Sequence, residues 1–350
     1  MAYTTINKGS SYFNTVLYTG NGAARSITGV GFQPDWVWIK KRNSTGNNNL
    51  TDVVRGVDKI VFTNSSNGEA TFAGGLSSFD SDGFSLAGND TGFNASADTY
   101  VAWNWLANNT SGSSNTAGTI TSTVAANTTA GFSIVKYTGT GVNATIGHGL
   151  GVAPDMVIIK DRDTVVNWSV NHQPLNASLG DYTRFLVLDA TSAVSGAGNT
   201  QYQNTPFTST VFNVGTNTTT NNNTKNFIAY CFASIKGFSK IGIYTGNGSS
   251  DGTFVYTGFK PAFIMYKQSS AAGESWIMQD GARDLFNVTN KRLLANASNA
   301  EADEPIDFLS NGFKCRTTGA FQNASGSTYI YMCFASNPFV SSTLIPTTAR

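Results

Sequence analysis

The sequence predicts an all-β protein made of three tandem antiparallel β-sandwich units, jelly-roll or lectin-like, with little helix. Three observations predict it. A turn motif occurs three times, as Tyr18-Thr-Gly20-Asn-Gly22, Tyr137-Thr-Gly139-Thr-Gly141 and Tyr244-Thr-Gly246-Asn-Gly248. Each copy is followed by a proline that leads into an apolar strand ending in lysine: Pro34 to Lys40, Pro154 to Lys160 and Pro261 to Lys267. Each unit then closes on an aromatic strand, at residues 100–105, 227–232 and 329–334. Anchors that recur in one order at matched spacing mark an internal repeat. No stretch holds a helical period for three or four turns, whereas short β-branched and aromatic runs between Gly, Asn and Asp recur throughout.

Residues 1–12 are expected to form an N-terminal arm. It has no basic patch followed by an apolar core, so no signal peptide is expected. No apolar run approaches the ~20 residues that span a bilayer. Unit 1, residues 13–106, opens on a strand from Phe13 to Tyr18 and turns at Thr19 to Gly22, where the glycines can take positive φ. Pro34 starts the next strand, where its missing N–H does least harm. Alternation puts Trp36, Trp38 and Lys40 on one face and Val37 and Ile39 on the other, so this strand is expected at the centre of its sheet. Asp82-Gly83 is a strong hairpin signal.

Residues 107–131, rich in Ser, Thr, Asn and Gly, read as a linker with at most a short strand at 119–124. Unit 2 covers 132–235, with a short helix near 175–179 and a long exposed hairpin loop at 213–225. Unit 3 covers 236–336, with a second short helical piece near 295–304. The short connection at 233–237 predicts that units 2 and 3 pack closely. A single pseudo-threefold body is the alternative topology. Residues 337–350 read as an extended C-terminal tail.

Charged residues make up 12% of the chain, about half the usual share, so solubility rests on uncharged polar side chains. With 22 basic and 21 acidic residues and no basic run, a nucleic-acid partner is not expected. Cys231, Cys315 and Cys333 fit neither a disulfide framework nor a zinc site and are expected as buried thiols.

No catalytic, cofactor or metal residues are expected. His148 and His172, the two histidines, both fall in unit 2 and in no triad or metal spacing. The sequence has no phosphate loop, and the Thr-Gly-x-Gly turns lack the helix that would hold a phosphate. Asp80 and Asp82 read as a hairpin turn rather than a calcium loop, because unit 3 keeps that turn as Ser310-Asn-Gly312 without the acids. Glycosidase chemistry needs two carboxylates ~5–10 Å apart. The candidates are Glu69, Glu274, Glu301, Glu304 and aspartates that lie mostly in turns. Asp52 with Arg55 and Asp280 with Arg283 read as loop braces. Lys40, Lys160 and Lys267 read as strand-end lysines that snorkel to water, a contact with a neighbouring subunit being the alternative.

Residues 13–22, 31–40, 132–160, 244–267, 291–296 and 329–339 resemble a repeat family abundant in predicted proteins of marine tailed bacteriophages. The resemblance implies a virion structural protein, tail fibre or tail-associated, made in the host cytoplasm and carried on the particle. It supplies no catalytic residues. The low charge and tandem strands suit the same reading: a non-enzymatic protein on the particle exterior, as fibre knob or capsid decoration, contributing to host attachment. The expected partners are other virion proteins and further copies of the chain, a trimer being favoured because edge strands this poor in charge invite pairing. A glycan receptor-binding module and a polysaccharide depolymerase are the alternatives.

Overall fold

The computed structural model describes residues 4–336, and the expected tail at 337–350 lies outside the described residues. The chain is all-β and its sheets are antiparallel.

One core motif recurs in each unit: the opening strand pairs with the closing strand, and the closing strand pairs with the strand after the proline. In unit 1 the order is Phe13–Thr19, Thr99–Trp105, Trp36–Lys41, Asn48–Asp52, Lys59–Phe62, Ala70–Thr71. In unit 2, Phe132–Thr138, Asn226–Phe232, Met156–Asp161 and Ser169–His172 repeat it. In unit 3, Ser239–Thr245, Thr328–Ala335, Pro261–Gln268 and Ile277–Asp280 do the same. The proline strand is central in each case, as its two apolar faces required. A smaller second layer covers one face in unit 1 (Arg25–Thr28, Gly83–Leu86, Leu76–Asp80) and in unit 2 (Ala144–Gly147, Val211–Val214). In unit 3 the corresponding strands continue the main sheet, and eight strands curl into a nearly closed barrel.

In units 1 and 2 the two faces of the main sheet serve two cores, whereas in unit 3 both faces belong to one. Val37, Ile39, Tyr100 and Ala102 pack inside unit 1 with Ile27, Phe84 and Leu86 of its second layer. Val135, Val157, Ile159 and Phe227 do the same in unit 2. The opposite faces of all three sheets meet one another. Trp36, Trp38, Trp103 and Trp105 of unit 1 belong to one continuous core with Ile158, Tyr230 and Phe232 of unit 2 and Phe263, Met265 and Phe334 of unit 3. The last aromatics of the closing strands converge: Trp105 lies 5.7 Å from Phe334, and Phe334 6.2 Å from Phe232. Trp36 stacks on Tyr230 at 4.7 Å.

The chain is therefore the alternative topology, one pseudo-threefold body, and not three beads with a privileged contact between units 2 and 3. Such a body follows from sheets that are apolar on both faces, since each must bury a second face against something. The arm joins it: Ile6 is buried in the shared core, and Tyr12 meets the Phe238 ring edge-on at 5.9 Å.

Three local expectations are corrected. Residues 107–131 are not a linker, for Ser113–Asn115 and Ser122–Asn127 form the outer strands of the unit 2 sheet. Pairing with Phe132–Thr138 orders them, with Val124 and Ala125 buried. The stretch near 295–304 is not helical: turns lead into the strand Ala302–Leu309. Residues 213–225 are not an open hairpin loop, because they fold into a short helix, Thr218–Asn221, whose Thr220 and Asn221 are fully buried. The helix expected at 175–179 is present as Gln173–Leu179, capped by His172.

Candidate functional site: the turns, the seams and the clefts beside them

The repeated turn is a lock between the opening strand and a buried asparagine near the end of the unit. In unit 1 the Tyr18 hydroxyl donates to Phe93 O (2.7 Å), Gly22 N to Asn94 O (2.9 Å), and Asn21 N to Asn94 Oδ1 (3.1 Å). In unit 2 Tyr137 donates to Thr220 O (2.6 Å), and Asn221 takes the part of Asn94. In unit 3 Tyr244 donates to Gln322 O (2.8 Å), and Asn323 takes it. The two glycines of each turn differ in purpose. Gly22, Gly141 and Gly248 have φ of 70°, 72° and 66°, where a Cβ is strained. Gly20, Gly139 and Gly246 let backbones touch: a Cβ there would stand 2.1, 2.3 and 2.3 Å from the carbonyl oxygens of Ala95, Asn222 and Ala324. Asn94, Asn221 and Asn323 escaped the sequence reading because asparagines are scattered through the chain and the flanking residues differ between copies.

The three repeated lysines do not snorkel. All are fully buried, and each reaches the neighbouring unit of the same chain. Lys40 Nζ donates to Gly46 O (2.6 Å) and to Ser298 O of unit 3 (2.9 Å). Lys160 donates to Val166 O (2.6 Å) and to Ser66 O of unit 1 (2.9 Å). Lys267 donates to Gln268 O (3.0 Å) and to Thr191 O of unit 2 (3.3 Å). Unit 1 thus grips unit 3, unit 3 grips unit 2 and unit 2 grips unit 1, a closed ring. Burial brings each ammonium down to about 8. The backbone repeats the ring: Glu301 N donates to Arg42 O, Glu69 N to Arg162 O and Val194 N to Ser269 O.

Ion pairs reinforce two of the seams. Arg162 binds Glu69 through both carboxylate oxygens at 2.8 and 2.7 Å, and Arg42 binds Glu301 at 2.8 and 3.2 Å. Burial pushes the Glu69 carboxyl up, but the Arg162 hydrogen bond and the charges of Arg55 and Arg162 together hold it below its ordinary value. The expected loop braces lie beside these pairs: Arg55 with Asp52 at 2.5 Å and Arg283 with Asp280 at 2.7 Å. Both also bridge units. Tyr230 of unit 2 donates to Asp52 at 2.8 Å, and Trp103 of unit 1 donates to Asp280 at 2.9 Å. At the third seam Ser269 and Val194 stand where the others have Arg and Glu, and His172 pairs with Met156 as Asp52 pairs with Trp36. Burial takes His172 down to about 3, so it is neutral.

The remaining candidates are held in local structure. His148 receives the Leu150 N–H at Nδ1 (3.2 Å) and meets Thr208 O through Nε2 (3.1 Å). Asp82 accepts from Gly29 N and Gly31 N beside the hairpin it was expected to form. Cys231, Cys315 and Cys333 are buried free thiols, held above the ordinary thiol range by burial. Pro34, Pro154 and Pro261 precede or open their strands, as expected. Among the described residues no group of three His, Cys, Asp or Glu converges as metal ligands, and no helix is long and apolar enough to cross a membrane.

Clefts open beside the seams. One of about 390 Å³ lies in unit 1 around Asn47, Asn49, Phe72 and Asp90. A related one of about 500 Å³ lies in unit 2 around Asn167, Trp168 and Phe185. At the corresponding place in unit 3, Arg292 covers the Phe321 ring at 4.3 Å. A separate hollow of about 290 Å³ between units 1 and 3 is rimmed by Leu285 and Phe286, which are 73% and 83% exposed.

The sequence model of a family described as a domain of unknown function (DUF7483) matches residues 8–338. A search of curated proteins finds no match.

Proposed function

We propose, for a chain that belongs to the DUF7483 family over nearly its whole length, a non-enzymatic structural role on the exterior of a bacteriophage virion. In this reading it is a tail-fibre knob or a capsid decoration subunit, assembled in the host cytoplasm and contributing to host attachment. One observation carries the reading: what the three copies share is engaged inside the chain, in holding each unit together and in closing the ring between units. The lysines, the Tyr-Thr-Gly turns and the aromatic ends of the closing strands hold unit to unit and strand to strand. Glu69 and Glu301, two of the carboxylates that hydrolysis could have used, are bound to arginines at the seams. A rigid scaffold that presents loops is what a particle surface requires, and the bacteriophage resemblance supports the same role.

Threefold closure inside one chain supports a single-chain knob over a homotrimer. Light scattering at the 37.1 kDa chain mass is the expected result, and a stable trimer mass would restore the self-assembling subunit. Contacts to other virion proteins belong to this proposal. Antibody labelling of intact particles viewed by electron microscopy tests it, the expected label lying on the capsid surface, collar or fibre tip. Absence of the chain from purified particles would overturn it.

A further inference from the structure

We infer that the unit 1 cleft is a binding site for a neutral hexopyranose. As a receptor site it rests on the exterior-virion reading above; as a sugar site it stands on its own geometry. The cleft, about 390 Å³, is at the small end of the range for small-molecule sites. Its apolar wall is Phe72, half-buried and stacked at 6.2 Å on Phe93, with Phe62 beside it. Its polar wall is unfinished. Asn49 is only 3% exposed, and its Nδ2 donates to Gly92 O at 2.8 Å, yet its Oδ1 accepts no hydrogen bond from the described residues. That oxygen borders the cleft, where a ligand hydroxyl can donate to it.

Gly92 keeps that oxygen open. A Cβ there would stand 3.2 Å from Asn49 Oδ1 and 3.1 Å from Asp90 Oδ1, so both acceptors border one spot. Asp90 uses Oδ1 to receive Gly92 N at 2.7 Å and leaves Oδ2 to accept. Asn47 uses its own oxygen for Asn64 and leaves Nδ2 to donate. Lys41, also in the lining, is neutralised by Asp98 at 2.6 Å. Two open acceptors, one open donor and an aromatic wall match a ring with adjacent hydroxyls and an apolar C–H face. The Asp90 carboxylate, with the one lysine already paired, disfavours anionic ligands. Asp90 also separates this cleft from the unit 2 cleft, whose lining contains no carboxylate.

The test uses the full chain, titrated by saturation-transfer NMR with the methyl pyranosides of glucose, galactose and mannose, and with glucuronic acid. At least one neutral pyranoside is expected to bind at millimolar Kd. Phe72→Ala and Asp90→Asn, the latter keeping an acceptor for Gly92 N, are each expected to weaken it about tenfold or more. Val165→Ala, in the unit 2 cleft, is expected to leave binding unchanged. Circular dichroism confirms that the variants are folded. No transfer to any neutral pyranoside at about 20 mM, equal binding by folded Phe72→Ala and Asp90→Asn, or a preference for glucuronic acid would each overturn the assignment. Sugar binding by a chain absent from the particle would sink the virion reading and leave the site. A labelled particle whose protein binds no sugar would do the reverse.

Discussion

Replacing Lys160 by Met keeps the buried stem and removes the ammonium. Two carbonyl oxygens, Ser66 O and Val166 O, then lose the donor they hold at 2.9 and 2.6 Å. Each buried acceptor left unpaired costs about 1–3 kcal/mol, and relief from desolvating the ammonium returns part of that. The expected net loss is about 2–4 kcal/mol. Lys160→Ala also removes stem methylenes packed in the seam, at ~0.8 kcal/mol per methylene plus a cavity contribution, and is expected to lose roughly 2 kcal/mol more. For a body of this size the unfolding entropy makes each kcal/mol worth ~1.5 °C of Tm, so the two variants should melt about 3–6 °C and about 6–9 °C below the parent. Urea unfolding followed by tryptophan fluorescence measures the same loss. The pair of carbonyls spans units 2 and 1, so unfolding should remain one transition if the ring is a single cooperative body. An unchanged midpoint in Lys160→Met would refute the buried-latch account and return the lysine to a solvated strand end.

Further outcomes are expected. Gly139→Ala would push a Cβ to 2.3 Å from Asn222 O and should cost several kcal/mol, whereas Gly196→Ala, with nothing near its Cβ and no positive φ, should cost under about 1 kcal/mol. Equal denaturation midpoints for the two would disprove the close-approach role. A double-mutant cycle on Arg162→Met and Glu69→Gln should give a coupling of about 1–3 kcal/mol across the seam, and additive losses would show that the pair only decorates it. The seam lysines, at about 8 when folded and near 10.5 unfolded, shed protons earlier in the fold. Stability should therefore rise from about pH 8, by up to ~1.4 kcal/mol per pH unit for each lysine. The three thiols, raised by burial, act in the opposite sense above about pH 9, so urea midpoints should peak between pH 8 and 10. A Lys160→Met midpoint curve parallel to the parent's would contradict this. His172, at about 3, contributes stability above its unfolded value near 6.5 that is lost as pH falls toward 3. Asp35, held up at about 6 chiefly by burial, works the other way. The comparison is therefore with His172→Asn, which keeps the helix cap and should flatten the acid limb.

Repetition made much of this chain legible before any coordinates. The Tyr-Thr-Gly copies, the proline strands and the aromatic closing strands identified three equivalent β units, because a repeat shows itself by comparison within one chain. Alternation along Trp36 to Lys40 also placed the central strand correctly. What burial on both faces meant was not legible. A strand apolar on both sides can sit in the middle of one sandwich or between two cores, and only the meeting of Trp36 with Tyr230 and of Trp105 with Phe334 chose the latter.

The same limit governed the polar residues. A lysine at a strand end reads as solvated until a carbonyl from another unit is found beside it, and Ser298 is far from Lys40 in sequence. Residues 107–131 have a linker's composition and become strands only because Phe132–Thr138 offers them an edge. Asn49 is one asparagine among many until Gly92 and Phe72 make a cleft around it. The local units were readable from the residues alone, since period, turn chemistry and repetition act between near neighbours. The ring, the latches and the cleft arise only on packing, since those depend on which distant backbone atoms come within hydrogen-bonding distance.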